Sequence, residues 1–276
     1  MLGLSLALLS SLFWGTNDYL SKRVLLKGVD ENFTLWVRFP IACLLLAPLG
    51  ALYWDLSVKV VLYALLWLPL EVLGGVFFMK GLKHAPLSVA MSFYSFMPVF
   101  SALFGWLLLS EEPSLAGILG MSLVVMASLL LVGFSPREFF RKNRGVLYML
   151  ISTALFGFNV VLGKASIMES NSLFFSWFYT FCMSLGTLLF VKPSEVLKKE
   201  NYAHWEVPLL GLFFAIGDVL YNLALFFTLS SYVASAERLS LLVVLLYGKL
   251  FLRERAERIL LPAMLMVAGN ALMASD

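Results

Sequence analysis

Apolar residues run almost without interruption along this chain, in windows of about twenty residues separated by short polar or charged breaks. A hydrocarbon layer of roughly 30 Å is crossed by about 20 residues of α-helix, so each window has the length of one membrane span. Ten windows emerge, at about 2–21, 33–53, 58–79, 86–109, 114–134, 145–164, 171–191, 207–228, 231–251 and 259–274. Their apolar runs are continuous rather than alternating, and backbone in lipid must satisfy its own hydrogen bonds, so the pattern predicts helices and not a barrel. The first window is long and polar toward its end, with no basic segment before it, and is expected as a helix rather than a signal peptide.

The windows repeat. Leu9 to Lys22, LSSLFWGTNDYLSK, returns as ISTALFGFNVVLGK from Ile151 to Lys164, with Ser10/Ser152, Gly15/Gly157, Asn17/Asn159, Leu20/Leu162 and Lys22/Lys164 identical. At nearly constant spacing, Phe33 and Trp36 match Phe174 and Trp177, Val89, Ala90 and Val99 match Val233, Ala234 and Val243, and Glu111 matches Glu254. Each copy therefore holds five spans, and an odd number forces the copies into the membrane in opposite directions. The expected fold is an all-α membrane protein of ten transmembrane helices in two inverted five-helix repeats. Residues 1–135 form the first repeat, 136–144 a cytoplasmic linker and 145–276 the second, in one integrated transport domain. Inverted repeats are characteristic of secondary transporters with a site between the halves.

Composition agrees with the pattern: 61% of the 276 residues are hydrophobic, 13% are charged, and the mean hydropathy is +0.90. The charges also orient the spans. Lys22, Arg23, Lys27, Lys80, Lys83, Arg137, Arg141, Lys142, Arg144, Lys192, Lys198, Lys199, Lys249, Arg253, Arg255 and Arg258 fall on one face, and only Lys59 and Lys164 on the other. The positive-inside rule makes the first face cytoplasmic, with both termini outside, in a cell (inner) membrane. These loops explain the net charge of +3, so it implies no nucleic-acid partner. Their expected contact is with lipid headgroups. Cys43 and Cys182 both lie within apolar windows, which suits neither a disulfide framework nor a metal site.

Phe13-Trp14-Gly15-Thr16-Asn17, with Lys22 closing the helix, resembles the first-helix signature of the drug/metabolite transporter superfamily in its EamA-like branch. Arg38-Phe39, Met97-Pro98-Val99-Phe100, Leu109-Ser110-Glu111-Glu112 and Leu252-Arg253-Glu254-Arg255 follow in family order, and the resemblance covers the whole chain. It implies a ten-helix carrier of small metabolites, often an exporter, working by alternating access without ATP. The second copy departs from the pattern: Leu242 stands where the first has Pro98, and its helix carries Glu237-Arg238. The chain has no GxxxxGK[ST] loop and no HExxH, so neither an enzyme nor a cofactor is expected.

The informative residues are the intramembrane charges Asp18, Arg38, Glu71, Asp218, Glu237 and Arg238, each costing roughly 2.5–3.5 kcal/mol at a helix centre. Glu71 and Asp218 fall near the midplane of the third and eighth spans, which are repeat partners, and together suit binding of a proton or a cationic group. The plainer reading is a pair of structural carboxyls. Tyr221 and Asn222 share the face of Asp218 at i+3 and i+4, as a polar ligand site or as interhelical glue. Asp18 and Arg38, toward the ends of adjacent helices, read most simply as a salt bridge, and alternatively as a gate in which Arg38 presents its fork to an anionic substrate group. Glu237 and Arg238 diverge by about 100° on a helix and are not expected to pair with each other. Arg238, aligned with Tyr94, is then a candidate anion contact facing the cavity, the alternative being snorkelling to the surface. Trp14, one turn before Asp18, is expected to line the cavity, and Asn17 and Asn159 are candidate polar positions common to both copies.

The function expected is secondary transport of a small polar metabolite such as an amino acid, outward or by exchange, with protons as coupling partner through Glu71 or Asp218. An anion exchanger for phosphorylated or nucleotide-linked metabolites, using Arg38 and Arg238, is the second reading. A non-transporting scaffold or lipid-handling protein is the third, and it requires every intramembrane charge to be paired around a dry midplane.

Overall fold

The computed structural model describes residues 1–85, 93–94, 96–132, 144–251 and 260–275, and every regular element among them is helical. In chain order these are α1 (Leu2–Leu26), α2 (Glu31–Leu52), α3 (Val58–His84), α4 (Met97–Leu109), α5 (Leu115–Val132), α6 (Arg144–Met168), α7 (Ser172–Leu188), the short α8 (Pro193–Leu197) and α9 (Lys199–Tyr202), α10 (Glu206–Phe227), α11 (Ser230–Glu237), α12 (Ser240–Phe251) and α13 (Leu260–Ala274). Val89, Ala90, the linker from 136 to 143, the segment Leu252-Arg253-Glu254-Arg255 and Arg258 lie outside the described residues.

Helix starts follow from local chemistry. Asp30 caps α2 by accepting the backbone N–H groups of Asn32 (2.9 Å) and Phe33 (3.1 Å), and Asn171 caps α7 the same way through Leu173 (2.9 Å) and Phe174 (3.4 Å). An acceptor side chain at this position satisfies donors that the first turn cannot. The matching caps open the two helices that carry the Phe-xx-Trp repeat. Among the described residues four helices, α2, α3, α6 and α10, are long and apolar enough to cross a membrane, and α4 and α7 are shorter apolar helices. Large apolar side chains such as Leu44, Leu65, Leu107 and Met264 stand exposed on the outside. Trp54, Trp106 and Trp205 are exposed near helix ends, where an aromatic belt would sit.

The window expected at 231–251 is not one helix. It breaks after Glu237 into α11 and α12, and across the break the backbone bonds tighten to i+3: Arg238 N–H to Ser235, Leu239 to Ala236, Leu241 to Arg238 and Leu242 to Leu239. The Arg238 side chain contributes, because its Nε takes the Ala234 carbonyl at 3.1 Å. Competition for ladder carbonyls is a recognised cause of helix breaks. The matched place in the first copy shows the same tightening, with Phe96 N–H bonded to Phe93 and Val99 to Phe96 just where α4 begins. The polar connection between the windows 171–191 and 207–228 contains α8 and α9.

Helices from the two ends of the chain interleave. The closest packed pairs are α3 with α6, α1 with α10, α5 with α13 and α2 with α7. Shared glycines allow this: a Cβ on Gly15 would stand 2.7 Å from the Ser240 carbonyl of α12, and one on Gly157 would be driven into Phe100 of α4. Between α5 and α13, Gly120 and Gly269 face each other so closely that a Cβ on Gly120 would lie 2.5 Å from the Gly269 carbonyl, and one on Gly269 2.6 Å from that of Gly120. Small residues let backbones approach in just this way. Gly120→Val should therefore lower thermal stability, by about 1–3 kcal/mol for the overpacking. Because α5 and α13 stand apart from the polar interior, ligand binding by the folded fraction should be unchanged, as a melting curve and a binding titration on one sample would show.

Candidate functional site

A cavity of about 140 Å³ opens where α1, α2, α3, α6, α7 and α10 meet, bordered also by Tyr94, Met97 and Glu237. One ordered water needs roughly 10–15 Å³ by the same measure, so the space is far larger than a single water site. Aromatic rings build much of the wall. Trp14 meets Phe214 edge-on at 4.8 Å, Phe214 meets Phe39 at 4.9 Å, Tyr179 lies parallel to Phe214 at 6.3 Å, and Trp67 packs on Tyr179 at 5.3 Å. Phe78, Tyr94 and Phe156 form a second group, with Phe78 and Tyr94 5.3 Å apart.

The polar groups are held by a repeated device. Asn17 on α1 donates its amide to the Leu210 carbonyl of α10 at 2.7 Å, and Asn159 on α6 donates to the Trp67 carbonyl of α3 at 3.0 Å. Each asparagine thus ties the helix bearing the repeated phrase to a helix of the other half. Both also position a cavity charge. The Asn17 oxygen accepts Arg38 Nη1 at 2.8 Å, and Ser21 accepts Nη2 at 3.2 Å. Asn159 donates to Glu71 Oε2 at 2.7 Å, while the Tyr179 hydroxyl donates to Oε1, also at 2.7 Å. Asn222 donates to Asp218 at 3.0 Å and to Ser176 Oγ at 3.0 Å, linking α10 to α7.

Trp14, Asp18, Arg38, Glu71, Tyr94, Asn159, Asp218, Tyr221, Asn222 and Glu237 all line this one cavity. Asn17 stands one layer back, behind Arg38. Two expected pairings are corrected. Asp18 and Arg38 form no salt bridge within 4 Å among the described residues, because the guanidinium is taken up by Asn17 and Ser21 and touches Met79 Sδ at 3.6 Å. Asp18 itself is 7% exposed, faces the cavity, and has no hydrogen-bond or ion-pair partner among the described residues.

Glu237 and Arg238 do pair, at 2.9 Å. The 100° divergence holds only inside a helix, and α11 ends at Glu237, so Arg238 is free to swing back. Its guanidinium lies 4.2 Å over the Tyr94 ring, donates to the Tyr94 carbonyl at 2.9 Å, and is fully buried. It neither snorkels nor lines the cavity. Matched residues of the two copies therefore touch, joining the break after Glu237 to the residues just before α4.

Two features were not singled out as site elements from sequence. Tyr179 stands at the repeat position of Arg38, at the spacing that relates Trp36 to Trp177, and that match is its one signal in the sequence. A second buried ion cluster joins Lys164 to Glu111 at 2.6 Å and to the Thr228 carbonyl at 2.7 Å. Glu111 also accepts the Ser230 N–H at 3.1 Å and the Ser230 hydroxyl, a carboxylate seated on the N-terminus of α11. Ser110, the left-handed residue that ends α4, turns the chain so that Glu111 reaches it. In the first copy Lys22 donates to the Leu82 and Ala85 carbonyls at 2.6 and 3.0 Å, the matching arrangement.

A model of the EamA-like transporter family matches residues 1–133 and 143–275. A solved structure titled only "Crystal structure of protein" superposes with a TM-score of 0.71 over 98% of this chain and 94% of that one. At 15% identity, that likeness is one of fold. No curated protein matches the chain.

The Lys164–Glu111 pair predicts a coupled pattern in stability. Lys164→Met or Glu111→Gln alone strands a largely buried partner and should cost about 3–5 kcal/mol. The double substitution should cost clearly less than the two losses added. A double-mutant cycle from unfolding curves in detergent measures the coupling, and strict additivity would show the contact to be idle.

Proposed function

The chain belongs to the EamA-like transporter family, whose members carry small molecules across membranes, and from that premise we propose a secondary transporter of a small polar metabolite such as an amino acid, acting by alternating access. One observation carries the reading: Asp18, Glu71, Asp218 and Glu237 line a single cavity bounded by helices from both halves of the chain. Intramembrane carboxyls are costly, and where they gather at a cavity they mark substrate or proton paths.

The halves, 1–135 and 145–276 joined by the linker, are proposed as inverted five-helix repeats forming ten spans, with both termini outside a cell (inner) membrane. Support comes from pairs that recur at matched positions: the asparagine bonds from Asn17 to Leu210 and from Asn159 to Trp67, and the lysine bonds from Lys22 to Ala85 and from Lys164 to Thr228. Rocking one half against the other would then expose the cavity to each side in turn. The Arg238–Tyr94 clasp joins the break between α11 and α12 to the start of α4 and would move with them.

Glu71 and Asp218 are proposed as the proton-coupling groups. Each has amide or hydroxyl neighbours that can serve either the charged or the neutral carboxyl: Asn159 and Tyr179 for Glu71, and Asn222 for Asp218. An anion exchanger is less well supported, since Arg238 is sealed behind the wall by Glu237 and Tyr94 and Arg38 is held by Asn17 and Ser21. A closed scaffold is opposed by the cavity itself and by Asp18, a charge it would need to pair.

Proteoliposome transport under an imposed pH gradient tests the coupling. Glu71→Gln and Asp218→Asn should each abolish gradient-driven accumulation, with at least a tenfold loss. Full activity in both variants, with a wild type indifferent to the gradient, would remove protons from the mechanism.

A further inference from the structure

Resting on the transport reading, we infer that the group of the substrate that the cavity recognises is a protonated amine, with Asp18 as its counter-ion and the rings around Trp14 as the seat of its apolar body.

The charges facing the cavity are unequal. Four carboxyl side chains line it against one guanidinium, Arg38. Three of the four are engaged: Glu71 by Asn159 and Tyr179, Asp218 by Asn222, and Glu237 by Arg238. Asp18 is more than nine-tenths buried and, among the described residues, has neither a hydrogen bond nor an ion pair. The nearby cations act on it through space but make no direct bond to it. Arg38 spends Nη1 on Asn17 and Nη2 on Ser21, and Arg238 is stacked on Tyr94 and bonded to Glu237. A carboxylate withdrawn from water without a partner is costly, and a cationic ligand entering the cavity removes that cost.

The same inventory argues against a carboxylate or phosphate as the recognised group. Such an anion would meet three further acidic side chains besides Asp18, and although Arg38 Nε has no partner among the described residues, taking two donors of the guanidinium as a fork would displace Asn17 or Ser21. An ammonium group needs no such rearrangement.

The walls fit this chemistry. Trp14 precedes Asp18 by one helical turn, so ring and carboxylate share a face of α1. Its ring meets Phe214 at 4.8 Å and Tyr221 at 6.3 Å, both edge-on. Ring faces carry negative quadrupole charge and attract ammonium groups, most strongly when water is excluded. An apolar or aromatic body attached to the nitrogen would lie against Phe39, Phe214 and Tyr179, which already contact one another.

A matched pair of probes isolates the claim. Purified full-length protein is titrated with phenethylamine and with phenylacetate, which carry similar bodies with opposite charge, by calorimetry and thermal shift. Saturable binding of the amine is expected, with phenylacetate neither binding nor competing. Asp18→Asn, nearly the same shape, should weaken amine binding at least tenfold without lowering the melting temperature of the unliganded protein. Asp18→Glu should keep binding within a few-fold, and Trp14→Leu should weaken it by threefold or more. Unchanged amine affinity in Asp18→Asn, preference for phenylacetate, or no amine binding at all would overturn the inference. If the amine fails while the same preparation counterflows another small solute in proteoliposomes, the transport reading survives alone. If no solute counterflows, both fall.

Discussion

A polar side chain at mid-depth in a helical bundle bathed by lipid has no water to turn to, so its partner must come from another helix. Asn17 and Asn159 meet that constraint at matched points of the chain, each tying its own helix to a carbonyl on a helix of the other half. Interhelical bonds of this kind are modest singly, about 0.6 kcal/mol on average. Their importance here is positional. Each amide has a second contact, and that contact fixes a charged group at the edge of the cavity. The scaffold and the site are therefore held by the same two residues.

What the two asparagines hold is different, and the difference gives the cavity its character. In the first copy, Asn17 joins Ser21 in restraining Arg38. In the second, Asn159 is joined by Tyr179, the repeat counterpart of Arg38, and together they fasten Glu71. One half thus contributes a restrained cation and the other a restrained acid. Near the clasp, Arg238 of the second copy lies on Tyr94, its counterpart in the first, and neutralises Glu237 rather than facing the cavity. The duplicated frame is preserved while the charges diverge, leaving an acidic, aromatic-walled space whose one unpartnered carboxylate among the described residues is Asp18.

Much of this was legible in the chain. Twenty-residue apolar windows fix helices because length and hydropathy are local properties, and the recurring phrase marks Asn17, Asn159, Gly15 and Gly157 as frame positions. Ten of the named charged, aromatic and amide residues line one cavity for a simple reason: burial in hydrocarbon is so costly that charges retained there cluster. The pairing of those charges was not legible. Asp18 and Arg38 invite a salt bridge until Asn17 and Ser21 are seen to occupy the guanidinium. Glu237 and Arg238 would point apart in one continuous helix, but α11 stops at Glu237 and the two pair. Both errors arise from treating helices as continuous and partners as pairwise, whereas the break after Glu237 and the sharing of Arg38 depend on tertiary contacts. Tyr179 was overlooked because a phenol among many aromatics has no sequence signal of its own beyond its match to Arg38.

The proposed alternating access requires that one cavity between the halves be reached from each side of the membrane in turn. Leu225, which lines the cavity, provides the most direct test. Leu225→Cys would be made in a background where Cys43 and Cys182 are serine, and a membrane-impermeant thiol reagent applied separately to right-side-out and inside-out vesicles. Labelling from either side is expected, each suppressed by a bound substrate. Labelling from one side only, or none from either, would contradict it.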